Sequence, residues 1–348
     1  MNLLKKILLL IILALLAFVL YTFYSTGFFR TIESHFEGEV IKEIPIQGAE
    51  DMVVIEQEGF AIISATARKG FPAVEQEYGG LYLMDLTSGD YILKHLTHDF
   101  DLPFAPHGIS LFKSDSTYIV AAINHTPSGH TVEVFSLYNE ELTHRGTIKS
   151  SKLVSPNDLV LVDENQFYIT NDHGFEGGFG RLLEDYGNLA VSNVLFYDGS
   201  EFSEVADGIS FSNGINRDVE RKLVFVASPR RFLVKVYRET ELGSLEFLED
   251  IDCGTGVDNI EFDTEGNLWI GCHPDLLGFA AYSKKDKDIS PSEIIKIDYR
   301  GKGDFTVTSI YENDGSQISA TSVAAPYKDL ILAGCVADKK MLILQLSD

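Results

Sequence analysis

The stretch Asn157–Gly174, NDLVLVDENQFYITNDHG, decides the fold. A polar pair opens it, the apolar run LVLV follows, DENQ supplies a turn, and a second run, FYIT, ends on small and polar residues. Two short extended runs joined by a polar turn read as a β-hairpin. The phrase recurs as EDMVVIEQEGFAIISA from Glu50, HGISLFKSDSTYIVAAINH from His107, NGINRDVERKLVFVASP from Asn213, DNIEFDTEGNLWIGCHP from Asp258 and TSVAAPYKDLILAGCV from Thr321. Successive copies start 57, 50, 56, 45 and 63 residues apart. Most are followed by a third extended run, such as TVEVFSLY, NVLFYD, LVKVYRE or EIIKIDY. Four-stranded units at this period are the signature of propeller blades. Six copies predict an all-β, six-bladed β-propeller. Val40–Ile46 before the first copy and Met341–Leu346 after the last are expected to share one blade and close the ring. A pair of β-sandwiches would leave the repeat unexplained.

Composition agrees. The chain has 348 residues, of which 45% are hydrophobic, enough for a large core. Its 52 acidic and 28 basic residues give a formal net charge of -24. Such a surface repels phosphate backbones, so nucleic acid is excluded as a partner. The acid serves solubility, or in part a hard cation such as calcium. Cys253, Cys272 and Cys335 have no zinc-site spacing and an odd count, so they read as buried free thiols.

Lys5 and Lys6 precede an apolar run from Ile7 to Tyr24, and no charge appears until Arg30. Ile7–Phe29 is long enough to cross a bilayer core of about 30 Å as a helix. The run exceeds the usual signal-peptide apolar region of about 7–15 residues. The segment 1–30 therefore reads as an N-terminal hydrophobic helix, a signal anchor or transmembrane segment. A cleaved signal peptide is the alternative. The lysines favour an N-in, C-out orientation. Residues 31–348, the propeller, would then lie outside the cytoplasm, or be secreted if cleavage occurs. Tyr21, Phe23, Tyr24, Phe28 and Phe29 fit an interfacial aromatic belt.

The innermost strand of each blade lines the central channel, so equivalent positions in successive blades converge on one axis. The blade openings hold Glu50, His107, Asn157, Asn213, Asp258 and Asn259, and all but His107 offer oxygen. Asx residues at strand starts often cap turns. A register of oxygen donors on a common axis instead fits calcium, which takes about 6–8 oxygens. Asp51 and Asp158 alternate to the other side of their strands, suited to a deeper ion or to buried hydrogen bonds. His107 and His125 sit in one blade mouth and suit a proton relay. His173 and His273 end blade strands, where a structural or substrate-contact role is expected. The Asn124-His125-Thr126 sequon overlaps this site and is treated as chance. No phosphate-binding Gly-rich loop or Gly-x-Ser-x-Gly elbow occurs.

The ordered motifs GAEDM, PHGIS, INHTPSGHTVEVF, PNDLVLVDENQFYITNDHGF, FSNGIN, VDNIEFDTEGNLWIGCHP and SVAAPYKDLILAG resemble the paraoxonase/arylesterase family from about Gly48 to the C-terminus. The resemblance implies two calcium ions. Glu50, Asn157, Asn213, Asp258 and Asn259 would hold a catalytic ion. Asp51, Asp158 and the carbonyl of Ile109 would hold a structural one. It also implies a His107–His125 dyad, a substrate pocket including Phe211 and His273, and calcium-dependent hydrolysis of lactones and aryl esters as small-molecule substrates. Two features depart from the pattern. No Cys is placed for the disulfide that joins the chain ends in vertebrate members, and Phe71 stands where those members carry a Tyr hydroxyl in the pocket. Gluconolactonase- and strictosidine-synthase-like propellers, with one central metal, are an alternative within enzymes. A non-catalytic, calcium-stabilised binding propeller is an alternative outside them. The general base is expected to be His107, with Asp258 the competing candidate.

Overall fold

A computed structural model describes residues 3–68, 79–126 and 128–347. Phe71 lies outside the described residues. Six antiparallel sheets make up the propeller. Their innermost strands are Ala49–Ile55, Pro106–Ser114, Pro156–Leu161, Ile215–Asp218, Gly256–Phe262 and Thr321–Tyr327, in blades 1 to 6. Each inner strand contacts the next, and blade 6 contacts blade 1, so the ring is closed.

The second strands explain why the sequence reads as apolar runs. In Phe60–Ala65, Ile62 packs into the cluster between blades 1 and 2, while Ile63 packs into the one between blades 6 and 1. Both faces of a blade are covered, so both sets of alternating side chains are apolar. A separate cluster fills each of the six interfaces. Fully burying one Ile, Leu or Phe contributes about 1.5–3 kcal/mol, so the interfaces hold the ring together.

Closure is non-covalent, as expected. Gly38–Pro45 pairs with Lys340–Leu346 as the outer strand of blade 6. The sequence reading missed a second closure. His35–Phe36 adds a fifth strand to blade 5, pairing with Glu312 and Tyr311, and the Phe36 ring meets Tyr311 edge-on at 5.6 Å. All three cysteines are free; Cys272 and Cys335 are buried and Cys253 is half-buried.

Helix α1, Leu3–Ser25, is long and apolar enough to cross a membrane by length and composition. Its apolar length is exposed, whereas Thr22 and Thr26 at its end are buried against the propeller. There Leu276 N donates to Thr26 O at 2.9 Å, Arg230 donates to Ser25 O at 3.1 Å, and Arg30 pairs with Glu293 at 2.9 Å. Two short helices, α2 (Gly178–Asp185) and α3 (Leu276–Ser283), sit beyond the second strands of blades 3 and 5. Neither was expected.

At the hub, blades 1, 3 and 5 open on polar pairs, Glu50-Asp51, Asn157-Asp158 and Asp258-Asn259. Blades 2 and 4 open on His107-Gly108 and Asn213-Gly214. These glycines make room for their neighbours. A Cβ on Gly108 would meet Asp158 Cα and Oδ1 at 2.6 Å, and one on Gly214 would meet Asp258 O at 2.4 Å and Asn259 Cα at 2.7 Å. Both obstacles include backbone, so overpacking cannot be relieved by a rotamer change. Gly214→Ala is expected to cost on the order of 1–3 kcal/mol or more. Gly146→Ala, where the new Cβ meets open space, is the matched control. Thermal denaturation of the two variants checks this: equal melting temperatures would mean that hub packing does not limit stability.

Candidate active site

A cavity of about 330 Å³ opens over the hub. Glu50, His107, Asn157, Asn213 and Asp258 belong to its polar lining, as the sequence anticipated. Asn259 lies beneath, buried, with Nδ2 donating to Glu50 O and Oε1 at 3.0 Å each.

These five proposed ligands share a further property. Glu50 Oε2, Asn157 Oδ1, Asn213 Oδ1, Asp258 Oδ1 and Asn259 Oδ1 are all buried and have no hydrogen-bond partner among the described residues. Leaving a buried polar atom unpaired costs about 1–3 kcal/mol, so five together demand a partner. The other polar atoms of four of them, Glu50, Asn157, Asp258 and Asn259, are held. Asp258 Oδ2 meets His273 Nε2 at 2.8 Å, Glu50 Oε1 meets His107 Nε2 at 3.3 Å, and Asn157 Nδ2 reaches Asp172 Oδ2 at 3.4 Å. The donor set is carboxylate and amide oxygen, which suits a hard cation such as calcium. No group of three or more His, Cys, Asp or Glu arranged to hold a metal occurs among the described residues.

Electrostatics divide the carboxylates. Burial would raise the Glu50 carboxyl, but His107, Arg68 and the Asn259 amide hold it at about 2. Burial raises Asp258 despite its bond from His273. Burial and the Glu50 charge push Asp51 up to about 8, and burial and Asp51 push Asp158 well above the usual range. Both residues do form buried hydrogen bonds. Asp51 accepts from Met52 N at 2.8 Å and Ile109 N at 2.7 Å; Asp158 accepts from Leu159 N and Ile215 N at 2.7 Å each. Each carboxylate thus ties its own blade to the next. The contact seen for Ile109 is through its amide.

His107 Nδ1 and His125 Nε2 are 2.8 Å apart, so the expected pair is assembled. Burial, then the neighbouring rings of His107 and His130, keeps His125 well below its ordinary pKa. The sequon asparagine, Asn124, is buried; it accepts from Ala105 N at 2.9 Å and donates to Pro103 O at 3.0 Å.

Phe211 and His273 line the cavity, as expected. Phe211 has φ +62° and meets His173 edge-on at 4.5 Å. A bulky residue in this left-handed region marks a strained backbone. His273 stacks on Phe279 of α3 at 4.0 Å. The sequence reading missed much of the remaining wall, including Thr26 from the end of α1, Arg68, Arg230, and Leu276, Leu277 and Phe279 of α3.

The arylesterase family model matches residues 29–344. The chain belongs to the arylesterase family. It is 34% identical over 306 residues to serum paraoxonase/arylesterase 2 of Rattus norvegicus, and equally to serum paraoxonase/arylesterase 1 of Homo sapiens; each match covers 84% of this chain and 85% of the relative. Solved structures share the fold at low identity. A proposed gluconolactonase has a TM-score of 0.54 at 13% identity, covering 90% of this chain and 97% of that one. Regucalcin of Agrobacterium tumefaciens, a calcium-binding protein, has a TM-score of 0.54 at 16% identity, covering 89% and 94%.

His173 is buried behind the cavity wall, bonded to Asp172 at 2.6 Å and Asp185 at 2.9 Å. Burial works against its charge, but Asp172 and Asp185 raise its pKa to about 9. A raised folded pKa gives stability that is complete below the ordinary value of 6.5 and lost as pH rises through about 9. The effect is on the order of 2 kcal/mol. Melting temperature should therefore fall between about pH 7 and about pH 10 in the native chain, and fall less in His173→Gln. Parallel pH–melting curves for the two proteins would refute it.

Proposed function

We propose that this arylesterase-family hydrolase cleaves lactones and aryl esters in a calcium-dependent reaction at the hub cavity. The observation that carries the reading is the set of five unpartnered, buried oxygens beside a hydrogen-bonded histidine pair. Glu50, Asn157, Asn213, Asp258 and Asn259 would hold the catalytic ion. Asp51 and Asp158, with the Ile109 carbonyl, would hold a second, structural ion, which would also relieve the repulsion between their carboxyls. When bound, calcium supplies Lewis-acid polarisation of the ester carbonyl and stabilises the developing oxyanion.

The side chains supply the rest. His107 faces the cavity and takes the proton of the attacking water at Nε2, the water displacing the 3.3 Å contact of that nitrogen with Glu50 Oε1. His125, kept neutral by burial, accepts at Nε2 the hydrogen bond from His107 Nδ1 and so fixes the tautomer of that base. His273 orients Asp258 through its Oδ2 and leaves Oδ1 unpartnered, where it would be available to hold an ion. Phe211, Leu276, Leu277 and Phe279 offer apolar surface to an acyl or aryl group. A second base remains in play, because Asp258 has a raised pKa and a free oxygen in the cavity.

We also read residues 1–30 as an uncleaved signal anchor, with residues 31–348 as an extracytoplasmic hydrolase domain. The exposed apolar length of α1 supports the anchor. Calcium at millimolar levels suits that location.

Chelation of the full-length protein should abolish hydrolysis of a lactone panel and of phenyl acetate, lower the melting temperature, and be reversed by added calcium. Full activity after verified calcium removal would sink the metal reading. His107→Gln should slow turnover by on the order of 10²–10⁴-fold. A loss below about threefold would move the base to Asp258.

A further inference from the structure

Sequence and register place a third histidine against the pair. In the hairpin of blade 2, the second strand Thr117–Thr126 pairs with the third strand Gly129–Tyr138, and His125 stands directly opposite His130. Side chains opposite one another in an antiparallel ladder share a face at about 5 Å. Here His125 Nδ1 and His130 Nδ1 are 2.7 Å apart. With the 2.8 Å contact between His107 Nδ1 and His125 Nε2, three imidazoles form an unbroken chain from the cavity wall outward. His107 lines the active-site cavity. His130 lines a separate surface depression, together with Ser128, Glu176 and Arg181.

We propose that His130 is the outer member of a three-histidine proton relay that carries the proton released at His107 to bulk solvent through the wall of blade 2. The proposal rests on His107 as the base that activates water.

The chemistry requires an exit. Hydrolysis of an ester adds one water, whose two protons have different fates. One ends on the leaving alcohol. The other must reach solvent, because the acid product is a carboxylate near neutral pH. Phe211, Phe279 and Thr26 at the end of α1 line the same cavity as His107, so a bound substrate or product would stand between His107 and the mouth. Along the relay, His107 Nε2 gains the water proton as the O–H bond breaks. The Nδ1–H of His107 passes to His125 Nε2. The Nδ1–H of His125 passes to His130 Nδ1, and His130 Nε2–H is lost to buffer. Each ring gains one proton and loses one, so no charge stays inside. Burial is the largest influence on both rings and disfavours a resting proton on His125 and on His130; at His130 the charges of Asp172 and Glu176 offset part of it, while the His107 ring adds to it. Arg181, in the same depression, opposes the two carboxylates.

The test is His130→Asn in the full-length, calcium-loaded protein. Asn keeps a hydrogen-bonding group toward His125 but relays no proton. At low buffer concentration, kcat for a lactone should fall by on the order of tenfold with KM unchanged. It should then climb with added imidazole, while the native enzyme stays insensitive to imidazole. His130→Gln, with melting temperature as a folding check, should behave alike. Unchanged kcat in both variants at low buffer, or a loss that imidazole does not restore, would overturn the relay. If His107→Gln is inactive while His130→Asn is normal, the base survives and the relay falls. If His107→Gln is itself active, the failure lies in the base.

Discussion

Negative charge at the axis is the constraint around which the molecule is arranged. Glu50, Asp51, Asp158 and Asp258 are all buried at the hub, where unpaired ionisation costs several kcal/mol per group. The fold answers this charge in layers. Asp51 and Asp158 each accept two backbone amides, one from their own strand and one from the next blade. Glu50 is held ionised by His107, Arg68 and the Asn259 amide, and the bond from His273 offsets part of the burial that raises Asp258. Five oxygens then remain unanswered, four of them on residues that line the cavity and one on Asn259 beneath it. Groups that hold the ring together are thus neighbours of groups that leave coordination open. The alternation of acidic pairs with Gly108 and Gly214 is the steric counterpart, since the acids can meet only where their neighbours lack a Cβ.

That constraint is also why so much was legible in the sequence. Inner and second strands are covered on both faces, so they read as apolar runs at a blade period. A polar pair at the head of such a run is anomalous, and its recurrence in register marks the axis. The five proposed ligand positions, the His107–His125 pair and the strand-paired ring closure were all visible on this logic, and the structure brings each set together.

What escaped the reading lacked such a pattern. Helices α2 and α3 are eight residues each, too short for a helical period to stand out between strands. The two-residue strand His35–Phe36 carries no propensity signal and is created by its neighbour Tyr311. His130 did have a signal. Counting across the Thr126–Gly129 turn from His125 lands on it, but a cross-strand partner becomes evident only once the hairpin register is fixed. His173 was expected in a structural or substrate-contact role because it ends a strand; it is buried, and its second partner, Asp185 of α2, was not legible because that helix was not.

The N-terminal segment joins these levels. Between Thr22 and Pro45 it ends the apolar helix, lines the cavity through Thr26, anchors to blade 5 through Arg30–Glu293, and supplies outer strands to blades 5 and 6. A site at the axis is only as well defined as the ring around it. Here the ring is closed by strands from the same stretch that carries the helix, and no covalent bond shares that task. The same few residues therefore fix where the apolar helix leaves the propeller, how the cavity wall is completed and how firmly the last blade is held. A displacement of the helix end would act on Thr26, and on the Arg230 contacts to Ser25 and Tyr186, before reaching any ligand oxygen. The mouth of the site is thus coupled to the helix more directly than the hub is, and the hub keeps its geometry through the blade-to-blade amide bonds of Asp51 and Asp158.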